Sequence, residues 1–372
     1  MAEWKEYTLG ELLQYEQPTA YIVKSTDYND NYKTPVLTAG KTFILGYTNE
    51  RQGVYDELPV IIFDDFTTAS QYVNFKFKVK SSAMKILKAN AGLVLPKFVF
   101  YRMQIIKFDA STHKRYWIQH YSKIKVKIPP TISEQEHIIS RIEELFSQLD
   151  VSVNELKTAK ERLKVYRQAV LKEAFGEVTT HTPFGEIIDA RLGKMLDKEK
   201  NTGDFHKYLR NINVRWFSFD LSNLLEMRIE ADEIEKYSVS HNDLIICEGG
   251  EPGRCAVWDK QDSIFYQKAL HRVRFLDNSN PRFYMYYLWF SAQSGQLCRY
   301  FTGTGIKHLT GQSLSKVVVP KTDRPTQDSI VAEIESRLSV CDSIEKTVET
   351  ALLQAKALQQ SILKKAFEGR LL

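Results

Sequence analysis

Apolar residues recur every seven positions along two stretches of the chain. In the first, Ile142, Leu149, Leu156, Leu163 and Val170 form one column, and Ile138, Leu145, Ala159 and Tyr166 fill a second column beside it. In the other, the same two columns hold Ile334, Cys341, Val348, Ala355 and Ile362, then Ile330, Ile344, Ala351 and Leu358. This is the a/d spacing of a coiled coil, broken mainly by Ser152 and Arg337, and it predicts two helices of roughly 40 residues, or about 60 Å each at 1.5 Å per residue. Ser133 and Glu136 have capping-box spacing at the first start, Pro325 suits the first turn of the second helix, and Gly176 and Gly369 are placed to stop them.

The two stretches are copies of one another. Gln135 to Gly176 aligns without a gap on Gln327 to Glu368, at an offset of 192 residues, and 14 of the 42 pairs are identical. The flanks match as well: Ile128-Pro129 and Val319-Pro320 precede the copies, and Leu9-Gly10-Glu11-Leu12-Leu13 echoes Phe184-Gly185-Glu186-Ile187-Ile188. A repeat dictates architecture, and here the order is domain, helix, domain, helix. Such helices bury their seams against one another by running antiparallel, which gives the chain a pseudo-twofold axis and two domains at a set separation, the geometry of a reader of two DNA half-sites.

Between the helices the pattern mixes strands with helices, and the two domains differ almost completely. In residues 1–130, Val60 to Phe63 reads as a buried strand, Tyr72 to Lys80 alternates with period two, and Pro96 to Ile106 looks helical. The alternation predicts Lys76, Lys78 and Lys80 on one face, in line to track phosphates. The cluster His113-Lys114-Arg115-Tyr116-Trp117-Ile118-Gln119-His120 joins cations, aromatics and an amide, the types that reach phosphates and base edges. In residues 177–320, a strand from Leu244 runs into the glycine-rich turn Glu248 to Arg254, followed by Tyr266-Gln267-Lys268 and His271-Arg272-Val273-Arg274, then Gly303-Thr304-Gly305-Ile306-Lys307-His308. Glycines let such loops approach DNA closely, so Arg254, Gln267, Lys268, Arg272, Thr304, Lys307 and His308 are candidate contacts.

Composition narrows the reading. At 372 residues, 43% hydrophobic and 26% charged, the chain has room for two or three soluble domains. No apolar run nears the roughly 20 residues that span a bilayer, and the amino terminus lacks a signal-peptide core, so a cytoplasmic protein with no membrane partner is expected. Cys247, Cys255, Cys298 and Cys341 have no zinc-site spacing and are expected to be buried free thiols; no metal site is foreseen. The net charge of +5 is concentrated at the front, where residues 1–130 carry 18 basic against 12 acidic side chains. That excess suits a polyanionic partner. Residues 177–320 are balanced at 18 against 18, so any DNA face there must be a local cluster such as Arg272, Arg274, Lys307 and His308.

Catalytic motifs are wanting. Phe301-Thr302-Gly303-Thr304-Gly305 has the outline of an S-adenosylmethionine loop but no long apolar strand before it, and Ala39-Gly40-Lys41-Thr42 has Pro35 where a phosphate-binding loop needs glycine. Glu248 and Glu251 suggest paired acids, with no second functional group nearby to make them a site. No catalytic residue is assigned.

The order of parts, the paired segments ending Leu171-Lys172-Glu173-Ala174-Phe175-Gly176 and Leu363-Lys364-Lys365-Ala366-Phe367-Glu368-Gly369, and the phrases around Leu244 to Arg254 and Gly303 to Leu309 resemble the specificity subunits of Type I restriction-modification systems. The resemblance covers essentially the whole chain. It implies an α+β fold in which two mixed α/β target-recognition domains, 1–130 and 177–320, are joined by spacer helices at 131–176 and 321–372 that form an antiparallel coiled coil. It also implies duplex DNA, two methyltransferase subunits and restriction subunits as partners, with S-adenosylmethionine, ATP and Mg belonging to those partners and none to this chain. A self-contained modification enzyme and a protein-binding coiled-coil adaptor are the rival readings.

Overall fold

A central strand buried on both faces needs an unbroken apolar run rather than an alternating one, and Val60–Asp64 is such a strand. A computed structural model describes residues 3–40, 42–111, 114–197, 199 and 201–371. They divide into two units: Met1–Lys157 with Glu349–Leu372, and Thr158–Val348.

In the first unit an antiparallel sheet runs in the order Leu13–Glu16, Met84–Ala89, Val60–Asp64, Ser70–Val73. Ile61, Phe63 and Leu87 face one apolar cluster, shared with Phe98 and Val99 of the helix Pro96–Met103. Val60, Ile62 and Ile86 face another, with Leu37, Phe77 and Val79. Three shorter strands, Ile44–Thr48, Thr34–Leu37 and Lys78–Val79, form a second sheet, the last two parallel. The ladder Lys5–Thr8 with Lys125–Ile128 closes the unit.

The second unit repeats this plan. Its antiparallel sheet runs Ile188–Leu192, Leu270–Phe275, Leu244–Cys247, Cys255–Val257, the same order of first, fourth, second and third strand. Leu244, Ile246 and Val273 face the helix Pro281–Gln293, while Ile245, Cys247 and Leu270 face the other way. The second sheet holds Leu225–Ile229, Asp204–Leu209, Ile264–Tyr266 and Ser238–Val239, again with one parallel pair, and His181–Pro183 pairs with Val318–Pro320. Gly185 is required: a Cβ there would lie 2.6 Å from that of Ser315.

The long helices are Ile132–Gly176 and Arg324–Phe367. The first is capped by Thr131 and Glu134, not Ser133 and Glu136: the Glu134 amide donates to the Thr131 hydroxyl (3.2 Å), which donates to the Glu134 carboxylate (3.0 Å). Ser133 already lies inside the helix. Asp323 caps the second, accepting from the Thr326 amide (3.0 Å), and Gly369 ends it with φ +71°. Each unit draws one end of both helices into its core. Ile138, Ile142, Leu363, Ala366 and Phe367 join the first, and Leu171, Phe175, Val331, Ile334 and Leu338 the second.

The helical seam differs from the expected one in its second column. The column Ile142, Leu149, Leu156, Leu163, Val170 and its copy Ile334, Cys341, Val348, Ala355, Ile362 are buried or half-buried throughout. In the second column Ile138 is buried and Leu145, Ala159, Ile330 and Ala351 are half-buried as expected, but Tyr166, Ile344 and Leu358 are 44%, 44% and 50% exposed. The column four residues after the first is covered without a gap: Phe146, Val153, Lys160, Arg167, Ala174, Glu345, Leu352 and Gln359 are half-buried, and Leu338 and Ala366 buried. Four residues advance a helix by slightly more than a turn, so a 4-3 alternation on this side serves as well as the 3-4 one. Within the second unit Arg167 pairs with Asp342 and Glu345, both at 2.8 Å, and Arg337 with Glu173 at 2.9 Å.

One strand expectation also changes. The alternating run from Tyr72 to Lys80 is two strands in different sheets, Ser70–Val73 and Lys78–Val79, because the chain leaves the first sheet after Val73 and crosses to the strand Thr34–Leu37. The expected row of three lysines is therefore not formed. Cys298 is exposed, while Cys247, Cys255 and Cys341 are buried and all four are free. Burial pushes the Cys247 thiol up to about 11.

Candidate nucleic-acid interface

Asp65 and Glu248 each follow directly on equivalent strands, Val60–Asp64 and Leu244–Cys247, and their backbones are held in the same way. The Asp65 amide donates to the Ala83 carbonyl (2.9 Å), and its carbonyl accepts from the Tyr116 amide (2.9 Å). The Glu248 amide donates to the Ala269 carbonyl (2.9 Å), and its carbonyl accepts from the Leu309 amide (2.7 Å). Ala83 and Ala269 stand just before the equivalent strands Met84–Ala89 and Leu270–Phe275. Tyr116 thus corresponds to Leu309, and the pair Lys114-Arg115 to the pair Lys307-His308.

The side chains keep the correspondence. Arg115 is exposed and lies over the ring of Phe66, 5.9 Å from its centroid. His308 lies against Gly249, where a Cβ would come within 3.0 Å of Nδ1. Phe66 and Gly249 are each the residue after the anchoring acid. Lys114 and Lys307 are exposed, the Lys307 ammonium donating to the Gly303 carbonyl at 2.8 Å. Cationic and polar groups are thereby displayed on a turn whose base is fixed by main-chain bonds, the arrangement that phosphate and base-edge contacts require.

Buried polar groups brace each turn. Asp65 and Lys85 are both buried and pair at 3.3 Å; the carboxylate also accepts from the Trp117 amide (2.8 Å), and the ammonium donates to Gln17 (2.6 Å). The strand register puts His271 where the first unit has Lys85, opposite Ile246 as Lys85 is opposite Phe63. Its Nε2 donates to the Leu309 carbonyl at 2.9 Å, and burial holds the imidazole below its ordinary pKa. Asn211 donates to the Gly249 carbonyl (2.8 Å), and the Arg254 guanidinium ties the Glu251 carboxylate (2.7 Å) to the Asn211 carbonyl (3.0 Å).

The other expected contacts divide. Lys76 and Lys80 are exposed, Lys76 pairing with Asp56 at 3.3 Å. Lys78 is buried; its ammonium donates to the Gln52 (2.7 Å) and Gly53 (3.0 Å) carbonyls and meets Glu50 at 3.2 Å, so it binds its own loop and not solvent. Arg272 is likewise buried and donates to the carbonyls of Lys236 (3.2 Å) and Ser238 (2.6 Å), while Arg274 is held by Asp243 (2.7 Å). Gln119, Lys268 and Thr304 are exposed, Gln267 half-buried, and His113 lies outside the described residues. Sequence reasoning missed Phe66, Asn211 and the Asp65–Lys85 pair; only the doubled acid Asp64-Asp65 after an apolar strand hinted at them. Among the described residues no group of His, Cys, Asp or Glu is placed to hold a metal ion, and no helix is long and apolar enough to cross a membrane.

Comparison with known proteins agrees with this architecture. Residues 1–161 match the Type I restriction modification DNA specificity domain. Over 228 residues the chain is 46% identical to the EcoR124I/EcoR124II specificity subunit of Escherichia coli, covering 58% of this chain and 54% of that one. It is 26% identical over 272 residues to the EcoKI specificity subunit of Escherichia coli K12, covering 68% and 58%. The chain thus spans little more than half the length of these curated relatives. In fold it resembles a chain solved for the complex assembly and conformational transition of the type I R-M system (TM-score 0.77, 15% identity, 100% of this chain and 99% of that one). The HsdS subunit from Thermoanaerobacter tengcongensis is similar over 100% and 98% (TM-score 0.56, 16% identity). The first part of the molecule is thus similar to a DNA specificity domain, and the second unit repeats its plan. The chain is similar, over part of its length, to Type I restriction enzyme specificity subunits.

Proposed function

We propose that this chain reads a two-part duplex DNA site, one half through each unit, and docks methyltransferase and restriction subunits that carry out the chemistry. One observation carries the reading: the same cationic turn is built twice, on the same sheet topology, with different side chains at equivalent places. A reader of one repeated sequence needs no such difference. Two methyltransferase subunits match the twofold plan of the chain, and S-adenosylmethionine, ATP and Mg are cofactors of the partner subunits, not of this one. The long helices pair as an antiparallel coiled coil; the Arg167–Glu345 and Arg337–Glu173 bridges support this, since partner numbers fall on one helix as they rise on the other. The complex works in the cytoplasm.

Selection from a randomised duplex library by the full chain, with its methyltransferase subunit present, tests the proposal. The expected result is one enriched site with two defined halves and an undefined gap. Enrichment of no sequence would mark the chain as a protein-binding adaptor instead.

A further inference from the structure

Two units that share a fold but read different half-sites must differ where they touch bases and agree where they touch the sugar-phosphate chain, which is alike everywhere. The equivalent turns show that division. The first position of each pair is lysine, Lys114 and Lys307, exposed in both units. The second differs, Arg115 against His308, and so does the surface beneath it, the Phe66 ring in one unit and the bare backbone of Gly249 in the other. Both second positions rest on the residue that follows the anchoring acid, so each side chain is supported from below, as a base reader must be to hold one hydrogen-bond geometry.

On the reading of the chain as a two-part DNA reader, we propose that Arg115 and His308 are the specificity-determining residues of the two half-sites and that Lys114 and Lys307 are their phosphate contacts. The guanidinium of Arg115 offers a fork of two parallel N–H donors, the match for O6 and N7 of guanine in the major groove. The imidazole of His308 offers one hydrogen bond, to purine N7. The first half-site therefore contains a guanine under Arg115 and the second a purine under His308.

The test is binding-site selection and competition binding with full-length variants in complex with the methyltransferase subunit. Arg115→Ala should relax preference at one base pair of the first half-site by about 5- to 150-fold and leave the second half-site untouched. His308→Ala should do the reverse. Arg115→Lys keeps the charge and lacks the fork, so affinity for random duplex should hold while that base preference is lost. Lys114→Ala and Lys307→Ala should weaken binding to all sequences alike and lower the salt slope by about one unit each. If the wild-type complex selects a two-part site and Arg115→Ala and His308→Ala retain its full preference, the assignment is overturned and the two-part reading stands. If the wild-type complex selects no site, the reading itself fails, and the assignment with it.

Discussion

Lys85 shows at the scale of one residue how a charge is kept inside a protein. Its ammonium and the Asp65 carboxylate are both about 98% buried, and beyond their own contact Gln17 accepts from the ammonium and the Trp117 amide donates to the carboxylate. Removing one member of such a pair leaves the other uncompensated, at a cost of about 3–5 kcal/mol. Asp65→Asn should lower unfolding free energy by that amount in urea titration, and adding Lys85→Met should return a large part of it. A loss under about 1 kcal/mol from the single change would show the site to be wet. The sequence displays such residues poorly. Lys114, Arg115 and Lys307 were legible as exposed loop cations because they are clustered with glycine or aromatics in polar turns. Lys78 and Arg272 look the same on paper, yet both turn inward to backbone carbonyls, and carbonyl positions depend on loops that no residue pattern reveals.

The long helices were the most legible elements, since seven-residue spacing over about eight turns has only one structural meaning. Their second column was not, because it carries Lys160, Arg167, Glu345 and Gln359, polar residues that an apolar pattern passes over. Arg167 and Glu345 sit in the seam as an ion pair, and apolar Ile344 and Leu358 stand outside it. The two readings predict opposite outcomes at Leu358, with Ile334, buried in both, as the reference. Ile334→Ala, fully buried, should cost about 2–5 kcal/mol. Leu358→Ala should change stability by no more than about 0.5 kcal/mol. Equal losses from the two substitutions, measured by chemical denaturation, would restore the column that contains Leu358.

At the scale of the whole molecule, the repeat was visible in the helices, and the shared topology of the two units was not. Strand order and the bracketing of Asp65 and Glu248 are backbone properties, conserved by hydrogen bonds while the side chains diverge. Nor does the sequence show that the first unit is assembled from two distant segments, with Leu363, Ala366 and Phe367 buried in its core and Phe367 edge-on to Phe98 at 5.2 Å. A chain ending at Val348 should therefore lose on the order of 5 kcal/mol or more from the first unit, by the burial of those three side chains alone. Calorimetry should show one transition lowered or lost and the other kept; two unshifted transitions would place the last helix turns outside the core. On the ribosome the same arrangement reverses the usual order of events. Domains generally fold as they emerge, amino-terminal first. Here Met1–Lys157 must wait for Glu349–Leu372, and the unit encoded between those two segments completes itself before the one they build together.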